Sequence, residues 1–145
     1  LNLCVEASLA MGERQVAEKK IEVRMQLDDR MPLVPFDTAM LQQAFLNIYL
    51  NAIDAMPEGG TLAIRTRLAE DGRQAVVEIA DNGGGIGEEA LPHIFNPFFT
   101  TKKYGTGLGL SQVKKIIDQH RGTIEVLSRR DEGTRVIITL QLRGT

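Results

Sequence analysis

The sequence has no tryptophan, one cysteine, two histidines and no long apolar run. With Cys4 alone, an internal disulfide and a cysteine-based zinc cage are excluded. His93 and His120 are too few for a histidine-rich metal site. No apolar stretch approaches the roughly 20 residues that cross a bilayer, and no signal peptide opens the chain. An excess of one charge is missing too. The 17 Lys+Arg face 19 Asp+Glu, a net charge of −2, which argues against the broad positive field of a general nucleic-acid binder. The expectation is a soluble, cytoplasmic domain with no nucleic-acid partner and no direct membrane contact.

What is present suffices for a core. The chain has 145 residues, 43% of them hydrophobic, which fits one domain at roughly 100–200 residues each. A domain of this size buries about 68–70% of its unfolded surface without staples. The first residue is Leu1 rather than Met, so a piece of a longer protein is expected.

Periodicity divides the chain. Residues 2–17 carry a weak helical signal in Leu3, Val5, Leu9 and Val16, and Ile21, Val23, Met25 and Leu27 alternate as in a half-buried strand. Pro32 and Pro35 mark a connection, and Asp37 is suited to cap the next helix. Over 38–56, Leu41, Ala44, Phe45, Ile48, Ala52 and Ala55 recur at helical spacing until Pro57 and Gly59–Gly60. Strands are predicted near 61–68 and 75–80, joined as a hairpin across Glu70–Asp71–Gly72. A glycine-rich stretch (81–87), a short helical patch (88–94) and a second glycine-rich stretch (105–109) follow. A helix over about 110–120 is predicted to stop at Gly122, before strands at 123–127 and 134–142 around the Asp131–Glu132–Gly133 turn. This order predicts an α/β fold, a two-layer sandwich of one mixed sheet covered on one face by helices.

Three segments carry chemistry. Asn47, Asn51 and Asp54 share one stripe of the first strong helix, spread over roughly 60° of arc. Their oxygens suit a hard cation such as Mg²⁺, which takes one or two protein ligands plus waters and phosphates. On the helix alone, the polar edge of an amphipathic helix is the favoured reading. DNGGGIG, from Asp81, follows a strand directly. Its glycines allow close backbone approach, and an acid at a strand end can accept a hydrogen bond from a purine amino group. An ordinary glycine-rich turn is the alternative. GTGLGL, from Gly105, opens a helix whose free N–H groups suit phosphate, with Lys102 and Lys103 just before it. It matches neither a P-loop nor a Rossmann fingerprint, and a flexible glycine linker is the competing reading.

Between the glycine stretches lies HIFNPFFTTK, residues 93–102. It reads as the hydrophobic hinge of a lid, with core packing favoured over ligand contact for Phe95 and Phe98. Cys4, His93 and His120 read as structural residues.

Taken in order, NIYLNAIDAM, DNGGGI, IFNPFFTTK, GTGLGL and the late Gly133–Thr134 resemble the asparagine, glycine and phenylalanine boxes of sensor histidine kinases. More narrowly, they are similar to the catalytic ATP-binding domain of the nitrogen-regulation (NtrB-like) branch. The resemblance runs over about residues 18–142. It implies the Bergerat α/β sandwich, a mixed sheet of about five strands against about three helices. It further implies ATP and Mg²⁺ as cofactors. Asn51 would bind the metal, with Asn47 and Asp54 on the same helix face. Asp81 would receive the adenine amino group, with Thr134 beside it and Gly83, Gly85 and Ile86 under the base. Gly105, Thr106, Gly107, Leu108, Gly109 and Leu110 would border the phosphates, and Lys102 would reach the γ-phosphate.

Asn47 separates the relatives. Topoisomerase, mismatch-repair and chaperone ATPases typically carry a glutamate there as general base, and an amide cannot take a proton from water at neutral pH. The expectation is therefore an ATP-binding domain that hydrolyses ATP poorly and holds the γ-phosphoryl for a histidine. Neither His93 nor His120 lies in a phosphoacceptor context such as H-E-x-x-N. Residues 1–17 are thus read as leading from a histidine-bearing dimerisation domain outside this chain, and 18–145 as the catalytic domain. A response regulator receiver domain would be the indirect partner. A nucleotide switch without phosphotransfer is the rival, and a serine kinase of the anti-sigma-factor type is disfavoured by Asn47.

Overall fold

A computed structural model describes residues 1–31, 38–70, 72–96 and 109–142. Their order is α1 (Asn2–Met11), α2 (Glu13–Glu18), β1 (Glu22–Gln26), α3 (Thr38–Ala55), β2 (Thr61–Leu68), β3 (Gln74–Asp81), α4 (Gly109–Gln119), β4 (Thr123–Arg129) and β5 (Gly133–Gln141). The five strands form one sheet in the order β1-β2-β3-β5-β4. β1 runs parallel to β2 and the other pairs are antiparallel. The expected mixed sheet of five strands is observed.

Side chains two residues apart on a strand share a face, so the register lays out rows across the sheet. Ile64, Ile79, Val136 and Val126 form one row, and Thr66, Val77, Ile138 and Ile124 the next. These rows face the helices. Leu41, Ala44, Phe45, Ile48, Tyr49, Ala52 and Ile53 of α3 join Val113, Ile116 and Ile117 of α4 and Cys4 and Val5 of α1 in the same core. Full burial of such apolar side chains stabilises by about 1.5–3 kcal/mol each. The buried arc of α3 is wider than a single stripe because α1 and α4 flank it. Ala55 departs from the predicted stripe and is exposed.

Other departures have local causes. The weak helical signal at 2–17 is two helices broken at Gly12, whose N–H bonds to Leu9. The patch at 88–94 forms only a 3₁₀ turn over Leu91–His93, because Pro92 has no N–H to extend a helix. α4 ends in a Schellman arrangement, with Arg121 N–H on Asp118 and Gly122 N–H on Ile117. The left-handed residue is Arg121, at φ 58°, not Gly122. Gly122 is needed for space, since a Cβ there would lie 2.6 Å from the Thr139 carbonyl oxygen. The Asp37 cap, Asp71 of the hairpin turn, and Phe98 lie outside the described residues.

Polar groups lock the layers. Lys19 Nζ donates to the carbonyls of Ile53 and Met56 at 2.9 Å and of Asp54 at 3.4 Å, satisfying groups that a helix C-terminus leaves without partners. Buried Thr66 donates its hydroxyl proton to Asn2 Oδ1 and accepts Asp28 N–H, both at 2.9 Å. The Asp28 carboxylate accepts N–H bonds from Leu68 and Arg30 and pairs with the Arg30 guanidinium. The Arg30 side chain, followed by the two backbone donors, holds the Asp28 carboxyl well below the usual carboxylate range.

Because the folded value is depressed, the stability Asp28 contributes is full above its unfolded value, about 3.9. It is lost as pH falls through that value towards the folded one. Urea midpoints measured between pH 6 and pH 2.5 should therefore fall less steeply for Asp28→Asn than for the parent. Parallel curves would remove Asp28 from the acid transition.

Candidate functional site

At one end of the sheet the core face turns polar. The row beyond Ile64–Ile79–Val136–Val126 is Leu62, Asp81, Thr134 and Ser128. Asp81 is the last residue of β3, and Thr134 stands opposite it on β5. Gly83 N–H donates to Asp81 Oδ1 at 2.8 Å, and the Thr134 backbone is the register partner beside it. Burial pushes the Asp81 carboxyl up, and the backbone of Gly83 and of Thr134 pulls it back down. Asp81 is thus a partly desolvated acceptor held by the backbone, a state suited to binding an amine.

The glycine run beside it is wedged between elements distant in sequence. Gly84 N–H donates to the Ala55 carbonyl at 3.1 Å, and the Gly84 carbonyl accepts Asp131 N–H at 2.6 Å. Gly85 has φ +72°, and a Cβ there would overlap the Arg129 carbonyl. Gly133 has φ +99°, and its Cβ would overlap the Asp81 carbonyl. Both positions combine a left-handed backbone with direct backbone contact, so no other residue fits without rearrangement. These are ordered glycines rather than a loose turn.

On α3, Asn47 and Asn51 are half-buried and Asp54 is exposed. Gln43 Nε2 donates to Asn47 Oδ1 at 3.0 Å. The Asn51 amide nitrogen lies 3.7 Å from the position a Gly109 Cβ would take, so the asparagine stripe meets the first turn of α4. Leu110 is half-buried in that turn. The structure thus brings Asn51 to Gly109 at one point and Asp81, Gly83 and Thr134 together at another. The end of α3 supports the second group through Ala55. Lys102, Gly105, Thr106, Gly107 and Leu108 lie outside the described residues.

Ser128 was not singled out in the sequence. Its Oγ accepts Ile86 N–H at 2.7 Å, donates to the Gly133 carbonyl at 3.1 Å and lies 2.8 Å from Thr134 Oγ1. The signal was available, because Ile124, Val126 and Ser128 alternate on the inward face of β4. A cavity of about 610 Å³ lies beside it, between residues 86–91 and the β4–β5 turn, spanned by the Glu89–Arg130 ion pair. Among the described residues, no three His, Cys, Asp or Glu side chains cluster to hold a metal.

The geometry is that of a five-stranded mixed sheet whose rim carries a fixed carboxylate beside ordered glycines, with an asparagine of α3 against the first turn of α4. The family of histidine kinase-, DNA gyrase B- and HSP90-like ATPases matches residues 36–144. Sensor histidine kinase ZraS of Escherichia coli (strain K12) is 36% identical over 145 residues, covering 100% of this chain and 31% of ZraS. Sporulation kinase D of Bacillus subtilis (strain 168) is 41% identical over 126 residues, 86% of this chain and 24% of that kinase. Among solved structures, the catalytic domain of histidine kinase ThkA superposes with a TM-score of 0.86 at 32% identity, covering 98% of this chain and 92% of that one. The chain belongs to the histidine kinase-, DNA gyrase B- and HSP90-like ATPase family, as a catalytic ATPase domain of the sensor-histidine-kinase kind. It spans less than a third of ZraS and of sporulation kinase D.

Gly85→Ala should destabilise the domain by about 2 kcal/mol or more, combining left-handed strain with a backbone clash. Chemical denaturation checks this, and a loss below about 0.5 kcal/mol would show that the loop relaxes freely.

Proposed function

We propose that this domain binds ATP with Mg²⁺ and delivers the γ-phosphoryl to a histidine on the dimerisation domain of the same kinase. The observation that carries the reading is the Asp81–Gly83–Thr134 cluster, a fixed carboxylate acceptor at the end of a strand beside ordered glycines. Asp81 receives the adenine amino group. Gly83, Gly85 and Ile86 form the backbone beneath the base, and Thr134 flanks it. Asn51 is the metal ligand this chain offers, consistent with its place against Gly109, and Asn47 and Asp54 line the same helix towards the phosphates. Lys102, Gly105, Thr106, Gly107, Leu108, Gly109 and Leu110 surround the phosphates. Mg²⁺, when bound, neutralises charge on the phosphate oxygens. The chain's own residues position the nucleotide and hold the γ-phosphoryl for attack, as phosphoryl transfer requires.

Asn47 lacks the basicity to activate water, so phosphoryl transfer is directed to an acceptor side chain rather than to solvent. We assign residues 1–17 as the lead from the dimerisation domain and 18–145 as the catalytic domain. Leu1, Cys4 and Val5 nevertheless pack into the common core. The response regulator receiver domain is the downstream partner, a reading supported by the structure of ThkA with response regulator protein TrrA. We read the box sequences as those of the NtrB-like branch, while the relatives ZraS and sporulation kinase D support the wider sensor-kinase class. Among the described residues no helix is long and apolar enough to cross a membrane, in keeping with a cytoplasmic placement, including within a membrane-anchored sensor.

With γ-labelled ATP and Mg²⁺, label should pass to an added histidine-bearing dimerisation domain, with little free phosphate released. Rapid phosphate release without acceptor would overturn both the kinase reading and the role given to Asn47. Asp81→Ala removes a hydrogen bond to a charged group, worth about 1.5–3 kcal/mol. ATP affinity by calorimetry should fall about 10–150-fold, and unchanged binding would displace the base from Asp81.

A further inference from the structure

We propose that Ser128 sets the hydrogen-bonding polarity of the wall that faces the nucleobase. It engages the Thr134 hydroxyl proton, so that Thr134 and Asp81 together present acceptors and select a 6-amino over a 6-oxo purine. The inference rests on the nucleotide-site reading above and assigns a positioning residue that reading does not contain.

A serine hydroxyl has one proton and two lone pairs. Ile86 N–H can only donate, and at 2.7 Å it occupies one lone pair of Ser128 Oγ. The Gly133 carbonyl can only accept, and at 3.1 Å it takes the Ser128 proton. The remaining contact, 2.8 Å to Thr134 Oγ1, is then satisfied in one way. Thr134 donates into the second lone pair of Ser128. If Ser128 donated to Thr134 instead, two acceptor oxygens would face each other at Gly133. The arrangement that satisfies all three contacts therefore commits the Thr134 proton to β4.

The consequence lies one strand over. Asp81 and Thr134 are register partners on the same face of the sheet, with Gly83 N–H on the Asp81 carboxylate. With its hydroxyl proton engaged by Ser128, Thr134 offers only lone pairs beside a carboxylate. An exocyclic amine donates to such a wall. A carbonyl oxygen at the same ring position meets acceptor against acceptor, and discrimination of that kind is strong when the polar groups are partly desolvated. Ile86 N–H strengthens the device by tying the glycine loop to the same serine.

Calorimetric titration of the parent domain and of Ser128→Ala with ATP and with GTP tests this. In the parent, ATP should bind much more tightly than GTP. In Ser128→Ala the Thr134 proton is released to turn towards the base, and the ATP-over-GTP affinity ratio should narrow about tenfold. Ser128→Thr, which restores the hydroxyl, should recover the parental ratio. If Ser128→Ala weakens both nucleotides equally, or leaves both unchanged, the serine is structural and the proposal is overturned. Ser128→Cys, a weak donor and acceptor of similar size, reads the same ratio should the alanine variant fail to fold. A parent that binds neither nucleotide would overturn the site reading itself, an outcome distinct from an unchanged ratio.

Discussion

The carbonyl groups at the C-terminal end of α3 need donors, and the way they obtain them organises the domain. A helix leaves its last carbonyls without intrahelical partners. Here Lys19 supplies protons to Ile53, Asp54 and Met56, and Gly84 supplies one to Ala55. The first connection draws the end of α2 against α3. The second fixes the glycine loop that follows Asp81. The loop's other ties run to the strands, through Gly83 N–H on Asp81 and Ile86 N–H on Ser128, and to the β4–β5 turn, through Asp131 N–H on the Gly84 carbonyl. One helix end therefore joins the scaffold to the ligand-facing loop.

The site itself marks where the packing pattern of the sheet changes. Three successive rows across β2, β3, β5 and β4 differ only in chemistry. Thr66–Val77–Ile138–Ile124 and Ile64–Ile79–Val136–Val126 are covered by helices, and Leu62–Asp81–Thr134–Ser128 lies at the rim. A rim position gives partial burial, and partial burial leaves Asp81 a partly desolvated acceptor. Deep in the core its ionised form would be too costly, while full exposure would leave water as an equal competitor.

Much of this was legible in the residues. The 3.6-residue period of Leu41, Ala44, Phe45, Ile48 and Ala52 and the alternation within β2 and β3 report burial on one face, and burial is what periodicity encodes. Asp81 and the glycines were legible because a strand end followed by three glycines is unusual chemistry in a contiguous stretch. Asn51 was legible as one of a stripe, but its neighbour Gly109 lies 58 positions further along by number, so their meeting depends on how α3 and α4 pack. Lys19, Ser128 and the left-handed Arg121 were not singled out. Each acts through a partner fixed by tertiary register, and arginine at a helix end carries no signature of positive φ. Ala55 shows the converse. It fits the apolar period, yet its side chain is exposed and its carbonyl is the useful group.

The candidate site is assembled from chain segments around Ala55, Asp81–Ile86 and Ser128–Thr134, which meet only when the sheet has its final order. No single hairpin or helix pair contains enough of it to hold a nucleotide. Ligand binding and global folding are for that reason one equilibrium. A ligand that recognises this site binds the native state alone and raises its population by mass action, by about 2.7 kcal/mol at a hundred times its dissociation constant. The strand pairings it depends on are long-range, the slow class of contact in folding. Occupancy of the site thus reports that the long-range β3–β5 pairing is in place.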